Sequence, residues 1–229
     1  MVFKRAARFQ PPSNPANQAT PPQALLTFGA HLATLAQVDM PARIEIRQAT
    51  PQDATVVREI LTGAAQWLEQ TGKPQWRENE LSPAAIAADV AAGLFYLAEV
   101  YLAEVHLPEV HLAENSGDAA GTVKFQLEDS LFWPDLPSHD AAYIHRLAVR
   151  RRYASTGVST ALLSWAAART HRLGRHFLRL DCEASRARLR AIYESFGFRH
   201  HSNRQVGSYF VSRYEYDVNN LDDVTNRAL

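Results

Sequence analysis

Between Ala141 and Arg172 the hydrophobic period of the chain changes once, and that change limits what the chain can become. AAYIHRLAV, residues 141 to 149, reads as a largely apolar strand of the kind found inside a sheet. From Gly157 to Arg172 the spacing predicts a helix with Val158, Ala161, Leu162, Trp165 and Ala168 on one face, and Gly174 ends it. RRRYAST, residues 150 to 156, is the turn between them. A central strand that runs through a small-residue turn into a helix requires a helix layer packed on a sheet. It also directs free N–H groups and the positive end of a helix dipole at one point, an arrangement that suits phosphate. The turn is not a Walker loop, because no GK[ST] is present, and not a dinucleotide fingerprint, because G-x-G-x-x-G is absent.

The remaining elements follow from the same signals. RIEIR, from Arg43, alternates like a strand. Thr50-Pro51 supplies an N-cap and an N1 proline for a helix to about Gln70. Ser82-Pro83 repeats the signal for a helix ending near Gly93. FYLAEV and Gly121–Glu128 are strands, as is HFLRLDC from His176 to Cys182. A helix from about Arg186 to Phe196 closes at Gly197, and a hairpin covers about 198–201 and 208–216. Strand, two helices, three strands, helix, strand, helix and two strands make an α+β fold with a mixed, mostly antiparallel sheet flanked by helices.

Three segments fall outside that pattern. Residues 1–42 form a Pro-rich N-terminal extension, expected to be largely disordered because 10–24 holds five prolines and no charge; 24–38 has loose helical periodicity. Residues 219–229 are a C-terminal tail. Residues 96–115 read YLAEV-YLAEV-HLPEV-HLAEN, a five-residue repeat that suits neither helix nor strand. Its first copy is the strand, and 101–115 is an insertion lengthening a hairpin.

Composition removes several functions. The one cysteine, Cys182, forms no disulfide within the chain and fits a reducing cytoplasm. No apolar run approaches the ~20 residues of a membrane span, and no apolar segment follows the first basic residues as in a secretory signal. The net charge is zero, which disfavours a nucleic-acid binder. Charge is nonetheless segregated: residues 146–190 carry eleven arginines against two acids, and residues 94–140 nine acids against one base. The basic segment suits an anionic small ligand and the acidic one a cationic amine, although solvated faces explain both. The histidines show no metal-ligand spacing, so no metal is expected. Trp67, Trp76 and Trp133 are candidates for pocket walls, with core packing as the alternative for each.

The turn and the following helix carry a resemblance. Arg152-Tyr153-Ala154-Ser155-Thr156-Gly157 resembles the Q/R-x-x-G-x-G/A loop of the GNAT acetyltransferase superfamily, with Ser155 in place of the first glycine. Tyr193-Glu194-Ser195-Phe196-Gly197-Phe198 is similar to the family's tyrosine shortly before Gly-Phe, and LRLDC, residues 178–182, looks like bacterial members. The resemblance covers about Arg43 to Val218. It implies a sheet splayed between its fourth and fifth strands, with acetyl-CoA as cosubstrate. The pyrophosphate would lie on Arg152, Tyr153, Ala154, Ser155, Thr156, Gly157 and Val158, and the pantetheine beside Leu147, Ala148 and Val149. A backbone N–H near Ala148 or Val149 would polarise the thioester carbonyl, and Tyr193 would protonate the leaving thiolate.

His145 is the expected base. Simple alternation puts it on one face with Tyr143, Leu147 and Val149, near the thioester, and histidine titrates in the right range. A histidine bonded inside the sheet is the alternative, and Asp140 at the strand start is a second candidate. For Ser155, an ordinary backbone whose hydroxyl donates to the pyrophosphate is favoured over a strained left-handed one. The function expected is acetyl transfer to a primary amine of a small molecule or peptide. The alternatives are a catalytically weak CoA sensor, or an interaction protein that pairs with itself, as a homodimer, through the repeat hairpin.

Overall fold

The structure is a computed structural model that describes residues 43–73, 75–76, 78–101 and 117–220. The expectations for residues 1–42, for the repeat beyond Tyr101 and for 221–229 lie outside the described residues. Everything described belongs to the unit Pro41–Leu229.

Among the described residues, seven strands form one sheet in the order β1-β2-β3-β4-β5-β7-β6: β1 Arg43–Gln48, β2 Phe95–Tyr101, β3 Asp118–Gln126, β4 Ala141–Val149, β5 Phe177–Glu183, β6 Arg199–Val206 and β7 Tyr209–Asp217. Among them only β4 and β5 pair in parallel. Among the described residues, four α-helices flank the sheet: α1 Ala54–Gln70, α2 Pro83–Ala91, α3 Val158–Arg172 and α4 Ala187–Phe196. The element order is the expected one, and the sheet is mixed and mostly antiparallel as read from the sequence. No helix among the described residues is long and apolar enough to cross a membrane.

The entry into α1 follows its sequence signal. Thr50 N–H donates to Asp53 at 2.8 Å, and a single 3-10 turn over Pro51–Asp53 leads into the helix. Ser82 caps α2 by accepting from Ala85 N–H. Alternation along β2 divides the core. Tyr96, Ala98 and Val100 join Leu162, Ala166, Leu178 and Tyr214 on the face covered by α3 and α4. Phe95 and Leu97 join Val57, Leu61 and Ile86 of α1 and α2 on the other. Each fully buried leucine of these layers stabilises the fold by about 1.5–3 kcal/mol. A third, smaller cluster, Trp133, Ala141 and Tyr143, sits under the loop between β3 and β4.

Two expectations need correction. The buried stripe of α3 is Val158, Leu162, Leu163, Ala166, Ala167 and Thr170. Ala161, Trp165 and Ala168 are only half-buried, so the stripe lies about one residue later than the sequence spacing put it. The helix also approaches β3 closely: a Cβ at Gly121 would lie 2.9 Å from Val158 and 3.2 Å from Leu162. The second correction concerns β4. Lys124 pairs with His145 and Thr122 with Ala148, so Val123 alone opposes Arg146 and Leu147. Arg146 takes the left-handed conformation, φ +53°, as the extra residue of a bulge. The bulge shifts the alternation by one. Leu147 and Val149 pack with Ala142 and Ile144 on the α3 face, whereas Tyr143 stands on the other. His145 therefore does not share a face with Leu147 and Val149.

Candidate active site

β4 and β5 pair from Ala141–Phe177 to Ile144–Leu180 and then part. His145 and Asp181 are the first residues beyond the last pair, so they face each other at the vertex of a fork. His145 Nδ1 is 3.4 Å from Asp181 Oδ1, and His145 Nε2 is 3.2 Å from Asp129 Oδ2. Asp129 comes from the β3–β4 loop, where its Oδ1 accepts the N–H groups of Leu131 and Phe132 at 3.2 and 3.0 Å. That loop is pinned from below. Arg213 reaches Asp135 at 2.6 Å and Phe132 O at 3.1 Å, and Arg179 donates to Pro137 O at 3.2 Å. Both guanidinium groups lie against the buried ring of Trp133.

Burial sets the electrostatics here. It pushes the Asp181 carboxyl up to about 6; the nearby Asp129 adds to this, while His145 and Arg213 oppose it. Burial also works to raise Asp129, but the imidazole and the two loop N–H groups outweigh it and hold that carboxyl below the usual range. The vertex opens into a cavity of about 670 Å³ whose walls include Trp76, Glu80, Glu128, Phe132, Arg146 and Glu183. Acids from three separate segments, Glu80, Glu128 with Asp129, and Asp181 with Glu183, thus surround the space. Of the opposing cations, Lys124 is paired with Asp89 at 2.8 Å, and Arg146 keeps a buried guanidinium nitrogen that bonds to nothing.

The other side of the fork is a strand edge and a turn. Arg150 N–H donates to Ala120 O, so by ladder alternation the N–H groups of Leu147 and Val149 face away from β3, into the gap, and that of Ala148 does not. After a 3-10 turn at Arg151–Tyr153, Ser155 and Gly157 both have positive φ, +67° and +87°. Gly157 is the N-cap of α3, and no side chain caps the helix. The first intrahelical bond is Ala161 N–H to Gly157 O, which leaves the N–H groups of Val158, Ser159 and Thr160 without helical acceptors. Arg152 and Tyr153 do not project freely: both bind the Asp118 carboxylate at 2.5 Å. Thr156 donates to Tyr153 O, and Val158 is buried in the core. The ordinary backbone expected at Ser155 is corrected by its φ: the chain needs a left-handed residue where the family loop has glycine.

Tyr193 lies on α4, buried against Phe198 and Tyr214. Burial pushes its phenol up, with Cys182 and Asp181 adding to the effect, so the hydroxyl is protonated at neutral pH. It packs on the α3 face with Cys182, whereas His145 and Asp181 stand on the opposite face. Cys182 is buried and its thiol is pushed up to about 12, which makes it inert. Asp140 precedes β4, 4.0 Å from His176, at the end of the strand away from the fork; it is not placed to act as a base. Of the tryptophans, Trp76 lines the cavity, Trp133 is core, and Trp67 is partly exposed beside Arg151. Sequence reading missed Asp129 and Asp181. Asp181 was visible in LRLDC as an acid alternating with apolar residues on a central strand; Asp129 offered only a turn-forming residue after a strand.

A forked α+β sheet with a helix N-terminus on one side and an acidic pocket on the other defines an acyltransferase architecture. Residues 73–198, more than half of the chain, match the Acetyltransferase (GNAT) family, and the chain belongs to it. YesJ of Bacillus subtilis (strain 168), described as an uncharacterized N-acetyltransferase, is 26% identical over 154 residues, covering 66% of this chain and 78% of its own. A GNAT-family acetyltransferase from Listeria monocytogenes shares the fold with a TM-score of 0.57 at 22% identity, over 76% of this chain and 95% of its own. YncA from Salmonella typhimurium, solved with its cofactor acetyl-CoA, has a TM-score of 0.54 at 16% identity, over 77% of this chain and 94% of its own.

Proposed function

We propose that this chain is an acyl-CoA-dependent N-acyltransferase that moves an acetyl group from acetyl-CoA to a primary amine of a small molecule or peptide by direct attack, without a metal ion. The observation that carries this reading is the fork itself. It has a free strand edge at Leu147 and Val149, a left-handed turn leading to an uncapped helix N-terminus on one side, and an acidic pocket on the other.

These groups fit the donor. A pyrophosphate needs converging N–H groups, and the turn from Arg152 to Gly157 with the first turn of α3 offers them. The N–H groups of Leu147 and Val149 suit the amides of a pantetheine arm, and that of Val149, rather than Ala148, faces the gap where a thioester carbonyl would be polarised. Bound there, acetyl-CoA supplies an activated acyl carbonyl. Tyr193 holds a proton at Oη on the α4 side, available to a thiolate. His145 stands on the opposite face, where an amine entering the pocket must lose its proton. The buried Cys182, its thiol pushed up by burial, is a poor nucleophile and favours direct attack over an acyl-cysteine route, and a free thiol suits work in the cytoplasm.

Calorimetric titration with acetyl-CoA and CoA tests the donor half of this reading. Binding of either should also raise the melting temperature, because only the native fold holds the site. Silence in both measurements at saturating ligand would end it.

A further inference from the structure

We propose that Asp129, His145 and Asp181 form one proton-accepting unit at the vertex of the fork, which takes the proton of the acceptor's ammonium group. The inference rests on the acyl-transfer reading above and adds two carboxylates to it. Topology brings the unit together. Parallel pairing in register ends at Ile144 and Leu180, so the next residues of the two strands, His145 and Asp181, point into the same space on the same face. The loop that supplies Asp129 is fixed by two N–H bonds to its Oδ1, which leaves Oδ2 to face the imidazole.

Buried acids without partners are costly to keep. Asp129 Oδ2, His145 Nε2 and Asp181 Oδ1 are all buried, and none makes a well-directed hydrogen bond. Asp129 Oδ2 is an acceptor only, so the proton of a neutral His145 belongs on Nε2, toward it. Nδ1 then presents a lone pair to the Asp181 carboxylate, and two acceptors 3.4 Å apart share a proton readily once one arrives. The acceptor supplies it. An N–H bond of R–NH₃⁺ breaks and its electron pair stays on nitrogen. The proton passes to the Asp181 carboxylate and on to His145 Nδ1, giving a neutral amine and an imidazolium between two carboxylates. Asp181 and His145 line the pocket and meet the acceptor, whereas Asp129 positions the ring and stabilises its charge. The groups facing Asp181 are His145 on β4, Asp129 in the loop and Arg213 on β7, so the ammonium enters a site with net negative charge. One ligand atom from each member lies within 4.8 Å of the others. The two carboxylates address opposite ring nitrogens, however, whereas a metal ion needs its ligands aimed at one point.

The whole chain tests this through Asp181→Asn, Asp129→Asn, His145→Gln and the double variant Asp181→Asn/His145→Gln. With an amine acceptor, kcat/KM of Asp181→Asn and His145→Gln should fall about 100-fold or more. The affinity for acetyl-CoA should stay within about 2-fold of wild type. The double variant should be no worse than the worse single, because the members act as one unit. Asp129→Asn should lower kcat and move the acid limb of the pH profile to lower pH, which a merely structural loss would not do. A wild-type pH profile in Asp181→Asn, or single losses that multiply, overturns the proposal. So does stoichiometric Zn²⁺ binding that disappears in His145→Gln, which would make the cluster a metal centre. A readout that needs no turnover accompanies these. Asp181→Asn should melt higher than wild type at pH 8 and equally at pH 4, since the carboxylate is kept against stability; a lower melt at pH 8 overturns the proposal. If wild type acetylates no amine while the pH-dependent melt behaves as stated, the acyl-transfer reading fails and the buried unit stands for another proton acceptor role.

Discussion

Ser155 holds a left-handed backbone conformation where the family loop has glycine. Serine in place of the loop glycine suggested a useful hydroxyl, because nothing in the sequence reports φ. At φ +67° the residue carries left-handed strain of about 1–2 kcal/mol. Glycine would relieve it, less the ~0.5–1 kcal/mol that glycine costs through the unfolded chain. We therefore expect Ser155→Gly to bind CoA at least as tightly as wild type and to melt no lower, and Ser155→Val to lose both affinity and stability. Calorimetry and a thermal melt on the two variants check this; weaker CoA binding by the glycine variant would restore the hydroxyl role. Tyr193 is singled out by its place before Gly-Phe, and its role as an acid is a proposal. Tyr193→Phe should cut turnover by about 10²–10⁴-fold while sparing acetyl-CoA affinity, read where chemistry limits the rate. Asp181 was not singled out, because its function depends on where β4 and β5 separate. Its carboxyl is raised, so the folded state binds the proton more tightly than the unfolded chain does. Stability from this group is therefore lost as pH rises from about 4 to about 6. A displacement of about two units corresponds to roughly 3 kcal/mol, which is the scale of the gain expected for Asp181→Asn above pH 6 in a urea or thermal titration.

At the scale of elements, caps and periods carried most of the information. Thr50-Pro51 and Ser82-Pro83 marked two helix starts, and Gly174 and Gly197 two ends, because these residues act through local backbone chemistry. What failed was alternation through β4. One left-handed residue, Arg146, inserts a step, and every side chain beyond it changes face; arginine gives no local sign of this. The stripe of α3 lies about one residue later than its apolar spacing predicts, because Trp165 is large and apolar yet packs at the margin. The repeat segment also belongs to this scale. Val100 and Asp118 are cross-strand partners, so β2 and β3, on either side of the repeat in sequence, are adjacent antiparallel strands. Tyr101, expected as the first residue of the 101–115 insertion, belongs to β2, so the deletion that spares the strand is 102–115, which leaves a short connection of a common hairpin length. The variant should keep a cooperative melt and bind CoA like the full chain, since loop length costs little. Loss of cooperativity would mean that the repeat supports the core.

Across the whole molecule, a net charge of zero conceals a division of labour. Many arginines of the 146–190 segment are spent on structure, as with Arg150 to Ala119 O, Arg175 to Leu127 O and Arg179 to Glu215. Acids from distant parts of the chain meet around one cavity. The sign of that pocket could not be read from the sequence, because Glu80, Glu128, Asp181 and Glu183 converge only after the sheet forms. It leads us to expect acceptor amines that are cationic at neutral pH, with amines that also carry a carboxylate disfavoured. The central claim, acyl transfer from a CoA thioester to an amine, is tested most directly by offering the whole chain acetyl-CoA with a broad panel of primary amines. Thiol release and the mass of the product are then followed together. The account predicts release of one thiol for each N-acetylated product, with cationic amines preferred and with loss of both signals in Tyr193→Phe. Thiol release that is independent of every amine, or an acetylated product formed equally well by Tyr193→Phe and His145→Gln, would contradict it.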